Sequence, residues 1–181
     1  MYIKKIVLGL LVFVMMTNVF SQVITRNEID EFEGVRIIQT SWETVLMKTF
    51  QTIYIRFKSV DTLKGMQLAW VHPDEIKAVE DGEKKVIVKL KNGETINFNN
   101  LNYVISSKGG GSHSFVAGGS ANGLTLSLFS KDIDKLANEH IAKVRIYTTK
   151  SYFDFDVKPK RAEIIKRAFL MLSIEVLKNK K

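Results

Sequence analysis

Residues 86–98 read VIVKLKNGETINF, and the way their two apolar halves pair decides how the middle of the chain folds. Val86, Val88 and Leu90 alternate with polar positions, as do Ile96 and Phe98, so each half presents one apolar face in a strand. A two-residue turn at Asn92-Gly93 sets Leu90 against Thr95 and Val88 against Asn97, mixing apolar with polar partners. A three-residue turn, Lys91-Asn92-Gly93 with Gly93 left-handed, sets Val88 against Ile96 and Val86 against Phe98. The second register keeps one face dry, so the sequence predicts a bulged hairpin. Asp81-Gly82 offers similar turn chemistry one strand earlier, which extends the expectation to an antiparallel meander.

Apolar-rich runs with strand character continue on both sides of this hairpin. Towards the amino end, VRIIQTSWETVLM (35–47), FQTIYIRFKSV (50–60) and LKGMQLAWV (63–71) are dense in β-branched and aromatic residues and read as strands. Residues 22–33, with Glu28, Asp30, Glu31 and Glu33, read as an acidic, solvated lead-in, which puts the start of a single domain, 34–181, at Gly34. Towards the carboxyl end, Leu124, Leu126 and Leu128 alternate as another strand. SKDIDKLANEH (130–140) predicts a short helix capped by Ser130, with Ile133 and Leu136 inward. AKVRIYTT (142–149) and SYFDFDV (151–157) predict two more strands. Pro159 opens a long helix to about Lys178, with Ala162, Ile165, Ala168, Phe169, Leu172 and Val176 in one apolar stripe. The expected fold class is α+β: an antiparallel meander sheet, curved or two-layered, with one short helix and a long carboxyl-terminal helix packed on it. Leu170, Met171, Ile174 and Leu177 spread apolar groups beyond the stripe, which reads as a helix laid in a groove of its own sheet, with a contact to a partner protein through Leu170, Ile174 and Leu177 as the alternative.

The first 22 residues, MYIKKIVLGLLVFVMMTNVFSQ, place Lys4 and Lys5 before an uncharged apolar run. This is the pattern of a signal peptide, residues 1–21, with cleavage before Gln22, against the rival reading of an uncleaved anchor. Export to the periplasm or the extracellular space follows as the expectation, with no stable membrane span after cleavage. The chain has no cysteine, so neither a lipid-modified cysteine nor a disulfide is possible and stability must come from a core. The formal charge of +8 loses two units with Lys4 and Lys5. The remaining bases are interspersed with acids, which argues against nucleic acid and leaves an anionic envelope glycan or an unidentified protein as the expected partner.

Residues 106–123, SSKGGGSHSFVAGGSANG, raise the question of a phosphate cradle. Gly118 and Gly123 have the spacing of a P-loop, but Leu124 stands where lysine is required and the next segment reads as a strand, which offers an anion no helix N-terminus. The segment therefore reads as a Gly-rich loop between strands, with Lys108, His113 and Phe115 as its contact candidates. His72, His113 and His140 lie at no metal-ligand spacing and read as surface or turn residues, and the sequence points to no metal and no cofactor. Asp154 and Asp156, two apart on a strand, share one face. With Trp42 and Trp70 as stacking platforms they form a ligand-binding candidate that a glycan hydrolase could use.

At DEFEG-VRIIQTSWE, VIVKLKNGETINF and AKVRIYTTKSYFDFDVKPKRAEIIKRAF the chain resembles a group of small secreted proteins of unknown function from Bacteroidota. The resemblance implies a location in or beyond a Gram-negative cell envelope and brings no catalytic residue with it. The leading expectation is a non-catalytic binding or interaction module, with a cell-envelope hydrolase acting on glycan and a structural accessory of an envelope complex as alternatives. The test these readings set is whether Trp42, Trp70, Asp154 and Asp156 share one cleft.

Overall fold

The computed structural model describes residues 23–48, 51–73, 75–108 and 122–179. Its strands are β1 (Ile24–Ile29), β2 (Arg36–Thr40), β3 (Glu43–Lys48), β4 (Gln51–Val60), β5 (Leu63–His72), β6 (Ala78–Val79), β7 (Gly82–Leu90), β8 (Thr95–Asn100), β9 (Val104–Ile105), β10 (Ser107–Lys108), β11 (Asn122–Phe129), β12 (Ile141–Tyr147) and β13 (Tyr152–Asp156). The helices are α1 (Lys135–Asn138) and α2 (Pro159–Lys178).

The central hairpin adopts the dry register: Val88 pairs with Ile96 and Val86 with Phe98. The Leu90 N–H donates to the Glu94 carbonyl at 2.8 Å, which leaves a three-residue loop, and Gly93 sits at φ +93°. Asn92 Oδ1 accepts the Glu94 N–H at 3.0 Å, an Asx turn that closes the loop from inside.

Around this hairpin the main sheet runs in the order β1-β2-β4-β5-β11-β8-β7-β12-β13, with β3 on β4 and β10 on β11; every pairing is antiparallel. The fold is α+β, as the periodicity predicts. It is not a simple meander, because β11 returns to lie between β5 and β8. The Asp81-Gly82 turn does not join a hairpin either: β6 pairs with β9 in a separate two-stranded ribbon, and Gly82 stands opposite Asn100. The lead-in is a correction of the same kind. Its acids are solvated, yet its backbone forms β1, and Asp30 ties the turn into β2 by accepting the N–H groups of Phe32 and Glu33. The sheet therefore begins at Ile24, ahead of Gly34. The predicted short helix shrinks to the four residues of α1, because Ser130 caps a turn at Asp132 instead of opening a helix; Ile133 and Leu136 are buried as expected.

The sheet is strongly curved. Trp70 on β5 meets Phe153 and Phe155 on β13 with ring centroids 5.0 and 5.5 Å apart, although four strands lie between them in the sheet order. Two local devices allow it. Single extra residues at Thr25, Val45 and Ala142 bulge β1, β3 and β12, and each bulge bends its strand and adds twist. The β11–β8 seam is held only at Leu128–Asn100 and Phe129–Asn99, so the strands diverge beyond it.

Helix α2 lies in the resulting trough. Lys158 is extended, as a residue before proline must be, and Pro159 starts the helix at no cost because its missing N–H would have had no partner there. The buried stripe is the predicted one: Ala162, Ile165, Ala168, Phe169, Leu172 and Val176. It touches β2, β3 and β4 on one side and β12 on the other, and the Phe169 ring sits edge-on to Phe57 at 5.1 Å. Cutting a fully buried Phe to Ala removes its transfer energy and leaves a cavity, at a cost of about 3–5 kcal/mol out of a usual margin of about 5–15. Urea denaturation should show that loss for Phe169→Ala. Leu177→Ala, at a side chain 63% exposed, should stay within about 0.5 kcal/mol of the parent protein.

Candidate functional site

Alternation in β13 sends Phe153 and Phe155 into the trough and Tyr152, Asp154 and Asp156 outward. The two carboxylates do share a face, and each faces a base on β12. Asp154 accepts a bidentate pair from Arg145, Nε at 2.6 Å and Nη2 at 2.7 Å, and Asp156 lies 3.3 Å from the Lys143 ammonium. The register requires this, since Arg145 stands directly opposite Asp154 and Lys143 opposite Asp156. The hydrogen bonds from Arg145 hold the Asp154 carboxyl below the usual carboxylate range. A carboxylate so held is a poor general acid or base at neutral pH.

The aromatic candidates lie elsewhere. Trp70 is fully buried on the inner face among Phe153, Phe155 and His72, and Trp42, half-buried, carries the Arg56 guanidinium over its ring at 4.5 Å. Arg56 belongs to the outer face of β4, where it also donates to Gln67 at 2.7 Å. The four candidate residues thus fall into three separate places, and the cleft proposed for a hydrolase does not form. Trp70 is a core residue and no sugar platform.

Lys108 is exposed on β10 opposite Asn122, at the base of the glycine segment; His113 and Phe115 lie outside the described residues. Among the described residues, the element that follows the segment is the strand β11 and not a helix. His72 departs from its expected exposed position: as the last residue of β5 it is fully buried, 4.9 Å from the Trp70 ring. His140, between α1 and β12, reaches α2 through a 2.7 Å contact with Glu163, whose carboxyl is lowered first by His140 and then by Arg167. Among the described residues no three His, Asp or Glu side chains converge on a point that could hold a metal ion. On α2, Leu170 is half-buried, while Ile174 and Leu177 are 53% and 63% exposed. Among the described residues no helix is long and apolar enough to cross a membrane.

Two features escape a sequence reading centred on carboxylates and tryptophans. The first is a shallow concavity of about 300 Å³ on the outer face, lined by Ile87, Lys89, Thr95, Lys143 and Arg145. Lys89 stands directly opposite Lys143 on one side and Thr95 on the other, and Arg145 stands opposite Ile87. Like charges opposed across a strand pair are unfavourable, and Lys89 has no acidic partner among the described residues. Arg145 is fixed by Asp154 and by the Tyr152 ring, 4.1 Å below its guanidinium. The periodicity held a signal for this site, because Lys89, Lys143 and Arg145 all occupy outward positions of strands whose inward positions are apolar.

The second is Glu43, which opens β3 with only 8% exposure and accepts a 2.7 Å hydrogen bond from Ser41. Burial raises its carboxyl above the ordinary range, against the lowering influence of Ser41 and the charge of Arg161. No family model, curated protein or solved structure matches the chain.

A raised folded-state pKa means that the native protein favours the neutral acid. The stability this contributes is full below the unfolded carboxyl's range and is lost as pH rises through the folded value. Glu43→Gln removes the titration and keeps the shape. Thermal melts should place this variant at or above the parent at neutral pH, with the gap closing as pH falls into the acid range. Lowered groups such as Asp154 and Glu163 are common to both proteins and cancel in the comparison.

Proposed function

We propose that the protein is an exported, non-catalytic binding module whose outer sheet face takes an anionic polymer, an acidic polysaccharide of the cell envelope being the ligand class that fits. The observation that carries this reading is Lys89 set opposite Lys143 in a concavity that also holds Arg145 and Thr95. An anion placed there relieves the repulsion between the lysines and gains charge-assisted hydrogen bonds. Arg145 is already oriented by Asp154 and Tyr152, so little side-chain entropy is lost on contact. The flat, shallow shape suits a chain lying across the strands better than a small substrate that must be enclosed. Lys4 and Lys5 ahead of an uncharged apolar run, and the resemblance to secreted proteins, support export.

Titration of the protein with polygalacturonate oligomers at low salt tests the reading. Binding should weaken with added salt, as an electrostatic contact does. Lys89→Glu should reduce affinity at least about tenfold, equivalent to about 1.4 kcal/mol. A control reversal at exposed Lys48, near the end of β3, should leave affinity nearly unchanged. Equal losses in the two variants would mean that only net charge matters and that the concavity is not the site.

A further inference from the structure

A different part of the outer face carries a second site. Lys58 on β4 stands directly opposite Gly65 on β5, so nothing projects from the position beside it. A larger residue is crowded there. A Cβ built on Gly65 would lie 3.0 Å from the Leu128 carbonyl oxygen, a backbone atom that can yield only if β11 moves. The missing side chain leaves a groove of about 160 Å³ lined by Val60, Leu63, Leu101, Ser127 and Phe129, among others. Leu63 and Leu101 are each 59% exposed, so the walls of the groove are apolar and open to solvent.

Two lysines line this groove. Lys64 is engaged by Asp134, whereas Lys58 has no acidic partner among the described residues. An apolar trough with one uncommitted ammonium is complementary to an amphiphile that has a short hydrocarbon tail and a single negative head. The groove is open on one side, and its volume of about 160 Å³, roughly that of five waters, suits a single unbranched tail of about six carbons. We propose that the groove over Gly65 binds a free medium-chain carboxylic acid, its tail along Leu63, Leu101 and Phe129 and its carboxylate on Lys58. This site is separate from the Lys89 concavity and does not depend on the polysaccharide reading.

Calorimetric titration with butanoate, hexanoate and octanoate, supported by NMR of the leucine methyl groups, tests the proposal. Each added methylene that the groove covers should tighten binding by about fourfold, with a plateau once the groove is full. Lys58→Gln should weaken octanoate at least about fivefold and leave 1-octanol unchanged. Ser127→Phe, which fills the groove from the solvent side of β11, should abolish both, with the thermal melt of the unliganded variant showing that it remains folded. If Ser127→Phe fails to fold, the midpoint of the Leu63 and Leu101 methyl shifts decides the matter alone: in Lys58→Gln it should move at least about fivefold to higher octanoate and stay in place for 1-octanol. No saturable octanoate binding, or the same loss for octanol as for octanoate in Lys58→Gln, would overturn the proposal. So would retention on phosphatidylglycerol vesicles without octanoate binding, which would assign the patch to a membrane surface.

Discussion

The burial of one helical stripe organises the molecule. Ala162, Ile165, Ala168, Phe169, Leu172 and Val176 form an apolar strip along α2, and a flat sheet could cover such a strip from one side only. Because the helix touches β2, β3 and β4 as well as β12, strands from distant parts of the sheet order must rise on both sides of it. Curvature is therefore a requirement of burying the helix. The bulges at Thr25, Val45 and Ala142 and the short β11–β8 seam are the local means. The chain has no cysteine, so this packing has no covalent reinforcement.

The curvature also decides what the outer face offers. Inward positions are filled by the helix and by the Trp70–Phe153–Phe155 cluster, so polar and charged side chains occupy the outward positions of the same strands. On β12 and β13 those outward positions pair off as Arg145–Asp154 and Lys143–Asp156. On β7 the matching position is Lys89, which has Lys143 and Thr95 as its cross-strand neighbours and no acid. On β5 one outward position is Gly65, where a Cβ would crowd the β11 backbone. Both proposed sites are thus places where the pairing rules of the sheet leave something unfilled, a charge in one case and a volume in the other.

Pattern and turn chemistry were enough to read the local structure. The 86–98 register, the left-handed Gly93 and the stripe on α2 follow from period two, period 3.6 and one glycine, because each is decided by residues near in sequence. What is decided by distant residues was not legible. The run from Val35 to Met47 reads as one strand, and the chain does follow β4 throughout, but Ser41 and Trp42 break it into β2 and β3 as the sheet bends. The insertion of β11 beside β5, the pairing of β6 with β9 and the recruitment of residues 24–29 into β1 depend on long-range pairing that periodicity does not encode. The same limit explains the site. Asp154 and Asp156 were rightly placed on one face, but the bases opposite them became visible only with the β12–β13 register, and Trp70 proved to be covered by phenylalanines more than eighty residues away. The burial of His72 and Glu43 is likewise set by tertiary neighbours, not by their own segments.

If the helix and the two walls of the sheet depend on one another, they must open together. Native-state hydrogen exchange, followed residue by residue across a series of sub-denaturing urea concentrations, measures this directly. The account predicts that core amides of α2, of β4 and of β12 converge on one opening free energy and one urea dependence, equal to those of global unfolding. Exchange of β12 and the β7–β8 hairpin through a separate, lower-energy opening, with α2 and β4 still protected, would contradict it and show that the sheet is curved for reasons independent of the helix.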